Sequence, residues 1–420
     1  MRALRVAILG ITLAACRGPG LVPPSVGLPV AAPESLGFDG ARLAAVAAYL
    51  RAEVDSGSFP GAVVAVGRHG RLALLAAVGR YGDDDPRAVD PSTLYDLASL
   101  TKVVGLTGAC MLLVADGRLD VEAPAQRYVP AFRGPGKERV TIRHLLTHSS
   151  GLPAWRPLYT EAPTRAAALL LADTTALATP AGQAAVYSDL GAIVLTQAVE
   201  QVAGEPLDAF LARRVFEPLG MTATRFRPPV TWRDRIAPTE KAPQGDVIRG
   251  VVHDENAWRL GGVSGHAGLF SNAPDLARFA VWLLGLVTPG QRPGVAGTPG
   301  QRPGVDSPET PGHRPGVNPP VLPSELVREF TRRQDLVPGS SRALGWDTPS
   351  EGSSAGTRLS PRAFGHTGFT GTSIWLDPER DLFIILLTNR VHPTRENLRI
   401  LKVRPRVADL VVAALTAPEG

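Results

Sequence analysis

Strand-like apolar runs stand at the two opposite ends of this chain, and any fold has to bring them together. Residues 61–79 read as two apolar runs around Arg68-His69-Gly70, a hairpin signal. Near the C-terminus, Thr372–Leu376 and Leu382–Thr388 flank Asp377-Pro378-Glu379-Arg380 and predict a second hairpin. Between them, from about 96 to 285, helical periodicity with Gly/Pro breaks dominates. Residues 40–55 carry helical spacing through Leu43, Val46, Ala47, Leu50 and Val54, and residues 404–416 return to helix. The economical arrangement is an α/β (α+β) domain. An antiparallel sheet would be built from the N- and C-terminal segments (about 37–95 and 322–420) and flanked by helices. A mostly helical region, about 96–287, would be inserted between its halves.

Three further stretches set the limits of that domain. Arg2 and Arg5 precede an apolar run from Val6 to Ala15, too short to span a bilayer and suited to a signal-peptide core over 1–15. The run ends Leu13-Ala14-Ala15-Cys16, which looks like a bacterial lipobox with Cys16 as the lipidated residue. Residues 16–36 are then expected to be a Gly/Pro-rich, lipid-anchored tether, and the protein an exported lipoprotein of the cell envelope. The third stretch is a repeat: Thr288–Val295 recurs at 298–305 and, with His313 for Gln, at 310–317. Gly and Pro fill 16 of the 33 residues from 288 to 320, so there is too little apolar surface to offset the entropy of ordering. It is expected to be a disordered insertion.

Composition excludes several functions. Hydrophobic residues make up 44% and charged residues 20%, as in a globular protein. The net charge of +5 is scattered and carried almost wholly by arginine, a poor footprint for nucleic acid. Two cysteines rule out a disulfide scaffold or a Cys-rich zinc site, and Cys110, in an apolar stretch, reads as a buried free thiol. His144 and His148 are spaced by four without His-Glu-x-x-His, and His253-Asp254-Glu255 with His266 is a weak ligand set, so no metal or other cofactor is expected.

Three clusters could do chemistry. Asp96-Leu97-Ala98-Ser99-Leu100-Thr101-Lys102 opens an apolar helix, placing Ser99 and Lys102 on one face. A serine hydroxyl needs a base, and a lysine serves as one only when its pKa is lowered. Tyr187-Ser188-Asp189 precedes another apolar helix, where a phenol could shuttle protons. His366-Thr367-Gly368 begins the C-terminal strands, where a substrate backbone could approach. Each alone reads better as a helix cap or a strand end.

Together, in this order, they make the chain resemble the serine β-lactamase and penicillin-binding-protein-like hydrolase superfamily, in the branch around class C β-lactamases and related esterases. The family's Ser-x-x-Lys, Tyr-x-Asn and Lys-Thr-Gly elements read here as Ser99-Leu-Thr-Lys102, Tyr187-Ser-Asp189 and His366-Thr-Gly368. Residues 140–153, 261–270 and 365–389, with Trp375 and the Asp377-Pro378-Glu379 turn, support the likeness, which spans about 36–286 and 322–416.

The resemblance implies a serine hydrolase with Ser99 as nucleophile and Lys102 and Tyr187 sharing the base and acid roles, their order left open. It implies an oxyanion hole from the N–H groups of Ser99 and Phe369. Asp189, His366, Thr367, Gly368 and His266 would lie against the substrate. Asp189 in place of Asn and His366 in place of Lys weaken the reading of a substrate carboxylate, and charge recognition by His366 should grow on acidification. The expected substrate is a peptidoglycan-derived peptide or amide. The alternatives are a promiscuous carboxylesterase or weak β-lactamase, or a non-catalytic penicillin- or muropeptide-binding protein.

Because the repeat carries no apolar face, a variant lacking 288–320 should keep its melting temperature and its activity. Loss of either in a thermal melt or a turnover assay would show that the repeat packs on the domain.

Overall fold

The computed structural model describes residues 27–242, 244–288 and 319–416. The signal peptide, Cys16 and nearly all of the 288–320 repeat lie outside the described residues.

The two ends meet in one six-stranded antiparallel sheet of order β3-β2-β1-β9-β8-β7. Its strands are β1 (Gly61–Arg68), β2 (Arg71–Gly82), β3 (Asp85–Ala88), β7 (Phe364–Thr367), β8 (Ser373–Asp377) and β9 (Leu382–Thr388). The β1–β2 turn has both central residues left-handed, His69 at φ 53° and Gly70 at φ 71°, the geometry that matches strand twist in a two-residue hairpin. The two halves join where β1 runs antiparallel to β9, from Ala62 opposite Thr388 to Arg68 opposite Leu382.

Continuous apolar runs suit β1 and β9 because both faces of the sheet are covered. Ala62, Val64 and Val66 with Ile384 and Leu386 pack on Leu43, Val46 and Leu50 of the helix Gly40–Asp55 and on Val403 and Val407 of the helix Ile400–Ala413. Val63, Ala65, Ile385 and Leu387 face the other way, into a core shared with Phe279 and Leu283 of the helix Ala273–Val287. That second core continues into the helical region through the helix at 100–115 and the helix Asp189–Ala203. Cys110 is buried there as a free thiol, its pKa raised by burial.

Three features differ from the sequence reading. A small sheet of order β4-β6-β5, made of β4 (Tyr95–Asp96), β5 (Arg225–Phe226) and β6 (Leu269–Ser271), lies within the helical region. Strands of two or three residues show no periodicity to detect. The expected tether stops short of residue 36, because Leu72 donates to Pro29 O and Ala31 donates to Leu72 O, both at 2.9 Å, and Leu36 is buried. Leu36 and Phe38 supply the apolar contact that a Gly/Pro count conceals. The last helix begins at Ile400 with Pro405 inside it, since burial of Ile400 and Val403 outweighs the proline's missing donor.

Candidate active site

The segment from Asp96 to Ser99 is a tight turn held by a buried carboxylate. Asp96 Oδ1 accepts from Ala98 N at 2.8 Å and Oδ2 from His253 N at 2.7 Å, and burial raises the pKa of this carboxyl. Ala98 sits at φ 45°, a left-handed conformation unusual for a residue with a side chain. The helix follows at once, its Lys102–Thr107 portion wound as π-helix, a feature that recurs at functional sites.

Lys102 is held by two hydrogen bonds and one ion pair. Nζ lies 2.9 Å from Ser99 Oγ, 3.0 Å from the His266 carbonyl oxygen and 2.7 Å from Asp189 Oδ1. It also stands 4.8 Å from the centre of the Tyr187 ring. Burying an ammonium without partners costs several kcal/mol, about what an ion pair with full hydrogen bonding offsets. Burial alone would lower the Lys102 pKa, but Asp189 and Tyr187 together outweigh it and hold the amine above its ordinary value. The resting site therefore holds an ammonium against the serine hydroxyl.

Tyr187 is fixed from several directions. Ser188 caps the helix Asp189–Ala203 by accepting from Gly191 N at 3.1 Å, so Asp189 enters at its first turn. His148 takes Val186 N on its carbonyl at 2.8 Å and Ser188 N on Nδ1 at 3.1 Å, bracketing the tyrosine. Its ring lies 4.5 Å from that of Tyr187, and the His366 ring lies 5.7 Å from it. Burial raises the Tyr187 pKa, with the Lys102 ammonium acting against the shift.

The third cluster is tied to the first by side-chain bonds. Thr370 Oγ1 donates to Asp96 O at 2.7 Å and Thr372 Oγ1 to Leu97 O at 3.0 Å. A Cβ on Gly368 would fall 2.3 Å from Leu97 O, so glycine is required for this approach. The N–H groups of Ser99 and Phe369 are free of hydrogen bonds among the described residues and belong to the two segments so joined. Ser99, Tyr187, Asp189, His366, Thr367 and Phe369 line one cleft of about 450 Å³.

Two sequence expectations are corrected, for His266 and His366, and one is extended. The His266 side chain is buried, held by Ser264 Oγ at 2.7 Å and Asp254 Oδ1 at 2.8 Å; it reaches the site through its carbonyl, away from substrate. Asp189 lines the cleft as expected and also pairs with Lys102, a role the sequence reading did not assign it. His366 does not gain charge near neutrality: burial, then Arg342 and Lys102, push its pKa well below the ordinary 6.5, and Nδ1 donates to Thr367 O at 2.8 Å. His253 pairs with Glu240 at 3.0 Å and His266 with Asp254 at 2.8 Å, so these two histidines have separate carboxylate partners.

The sequence reading missed Arg342 and Trp155, which also line the cleft. Arg342 comes from a loop without a motif, its guanidinium 5.2 Å from the Tyr187 ring and without an ion pair among the described residues. His148 was visible in the Thr-His-Ser-Ser-Gly stretch, but its place beside Tyr187 depends on the fold.

A buried lysine with a half-buried serine and tyrosine, between an antiparallel sheet and a helical region and beside two N–H groups free of hydrogen bonds among the described residues, defines an acyl-transfer site. The Beta-lactamase family model matches residues 46–405, and the chain belongs to that family and is a serine hydrolase. It is 29% identical to the "Putative D-alanyl-D-alanine carboxypeptidase" of Salmonella schwarzengrund (strain CVM19633), over 90% of this chain and 89% of the relative. EstCE1, described as a hydrolase with promiscuous acyltransferase activity, superposes with a TM-score of 0.65 at 22% identity, covering 90% of this chain and 99% of its own. A penicillin-binding protein homologue from Caulobacter crescentus gives a TM-score of 0.66 at 20% identity, covering 89% and 98%.

If Asp189 keeps the proton on Lys102, activity should rise with pH along an alkaline limb. Asp189→Asn removes the carboxylate that raises the lysine pKa, so that limb should move to lower pH by about 1–3 units. A kcat/KM profile with its limb unmoved would contradict this role.

Proposed function

We propose that the protein is an envelope-anchored serine hydrolase acting through an acyl-enzyme on a peptidoglycan-derived peptide or amide. The observation that carries the reading is the Lys102 ammonium 2.9 Å from Ser99 Oγ in a cleft that also holds Arg342, which has no ion pair among the described residues. Ser99 attacks the carbonyl once the Lys102–Tyr187 pair has lost a proton. The two groups titrate together and share the base role. The oxygen that gains charge is met by the N–H groups of Ser99 and Phe369. The protonated pair then gives its proton to the leaving amine or alcohol, and water releases the acyl group from Ser99. Thr367 orients the substrate along the outer edge of β7.

Arg342 supplies the fixed cation that position 366 lacks. Arginine keeps its charge throughout the working pH range and can grip a carboxylate with two donors. A peptide ending in a free carboxylate fits that feature, in keeping with the carboxypeptidase name of the Salmonella relative. The same comparison and the lipobox-like Leu13–Cys16 sequence favour an envelope location with Cys16 lipidated.

A second reading, carboxylesterase, is favoured by Trp155 and Phe369, which are 46% and 49% exposed in the cleft and offer an apolar wall to an acyl chain. A purified-enzyme screen across p-nitrophenyl esters, a chromogenic cephalosporin and muropeptides separates the two. Peptide turnover exceeding ester turnover supports the first, and ester turnover alone the second.

Ser99→Ala should abolish turnover of every substrate while the circular dichroism spectrum is unchanged. Arg342→Gln should lower kcat/KM for a peptide with a free carboxylate by about 10- to 100-fold, the scale of a hydrogen bond to a charged group, and leave a neutral isostere nearly unaffected. The pKa of His366 is lowered, so it stays neutral from about pH 8 down to pH 6. The wild-type ratio of anionic to neutral substrate should therefore be flat over that range. A ratio that climbs as pH falls would return charge reading to His366.

A further inference from the structure

The turn that presents the Phe369 N–H is gripped from behind by two buried arginines. Arg404, on the helix Ile400–Ala413, is 7% exposed, and its Nη2 donates to Gly368 O at 2.5 Å and to Thr372 O at 2.9 Å. Arg390 Nε donates to Phe369 O at 2.8 Å, and its guanidinium lies 4.4 Å from the centre of the Phe369 ring. Neither forms an ion pair among the described residues. Burial, with the neighbouring Arg390, pulls the Arg404 pKa down to about 9, still charged at neutral pH.

Two buried guanidinium groups without a contact ion pair among the described residues are costly, with Glu240 and Glu396 acting on Arg390 only from a distance, and an apolar residue would fill the Arg404 space more cheaply if packing were the only need. Their placement suggests what they do. Gly368 C=O and Phe369 N–H are the two ends of a single peptide group. A guanidinium hydrogen-bonded to that oxygen draws electron density from the amide and makes its N–H a stronger donor. It also fixes the peptide plane, and its charge lies in a low-dielectric interior behind the point where negative charge would develop.

We propose that Arg404 is a positioning residue for the oxyanion hole, polarising and orienting the Gly368–Phe369 peptide whose N–H receives the developing oxyanion. The inference rests on the reading of Ser99 and Phe369 as that hole, and it extends the machinery to a helix on the far face of the sheet. Arg404 itself touches no substrate.

The test compares a carbonyl ester with the matched thionoester, whose sulfur is a poorer acceptor for N–H donors. The ratio of their kcat/KM values reports the strength of the hole and cancels any change in the fraction of active enzyme. Wild type should favour the carbonyl ester. Arg404→Met should lower the ratio about tenfold, a fraction of the 10²–10³ lost when an oxyanion donor is removed outright, with the loss in kcat rather than KM. Arg404→Lys keeps the charge but cannot bridge both carbonyls with one planar group, so it should fall between the two. If the methionine variant does not fold, the lysine variant decides: a lowered ratio supports the proposal and a wild-type ratio overturns it. A wild-type preference that survives in a folded Arg404→Met also overturns it. A wild type without any preference would instead remove the oxyanion reading on which the proposal rests.

Discussion

The antiparallel pairing of β1 with β9, from Ala62–Thr388 to Arg68–Leu382, is the seam on which the rest of the molecule depends. It joins segments from opposite ends of the chain, and the site is assembled from both. Ser99 and Lys102 follow the N-terminal strands, and residues 366–372 lie between the C-terminal ones. Alternate residues of the two seam strands feed separate cores on the two faces, so slipping the register by one residue would exchange every apolar contact. The threonine bonds from Thr370 and Thr372 to Asp96 and Leu97 carry this precision to the cleft. They set the spacing between the two free N–H groups.

Charge in the cleft is arranged around Lys102. Asp189 holds the lysine proton, and the Lys102 and Arg342 cations, added to burial, keep His148 and His366 uncharged. Tyr187 thus lies between two neutral imidazoles and below an ammonium. The departures from the Asn and Lys of the family motifs are compensated in different ways. Asp189 places a carboxylate against the lysine. In the proposed function Arg342, from another loop, supplies the cation that a neutral His366 cannot.

Much of the fold was readable because its signals are local and long. The Arg68-His69-Gly70 turn, the period of residues 40–55 and the Asp377–Arg380 turn each specify geometry within a few residues. The Ser99, Lys102 and Tyr187 cluster was readable through motif order. What escaped depends on contacts between distant segments. The pairing of Asp189 with Lys102 at 2.7 Å shows only once the two segments are brought together. His266 looks like a cleft residue until Asp254 and Ser264 are seen to enclose it. Arg342, Arg390 and Arg404 belong to a chain rich in arginine, and sequence alone does not separate a buried guanidinium from a solvated one. Strands β4 to β6 are too short to show a period, yet β4 contributes Asp96, which shapes the turn before the nucleophile.

The central claim is that Ser99 becomes covalently acylated during turnover. Reaction with a slowly released acyl substrate, quenching in acid, and peptide mapping by mass spectrometry test this directly. The account predicts one acyl increment per chain, on the peptide carrying Ser99, decaying at the rate of turnover. An increment on another residue, or steady turnover with no covalent species on Ser99 under burst conditions, would contradict it.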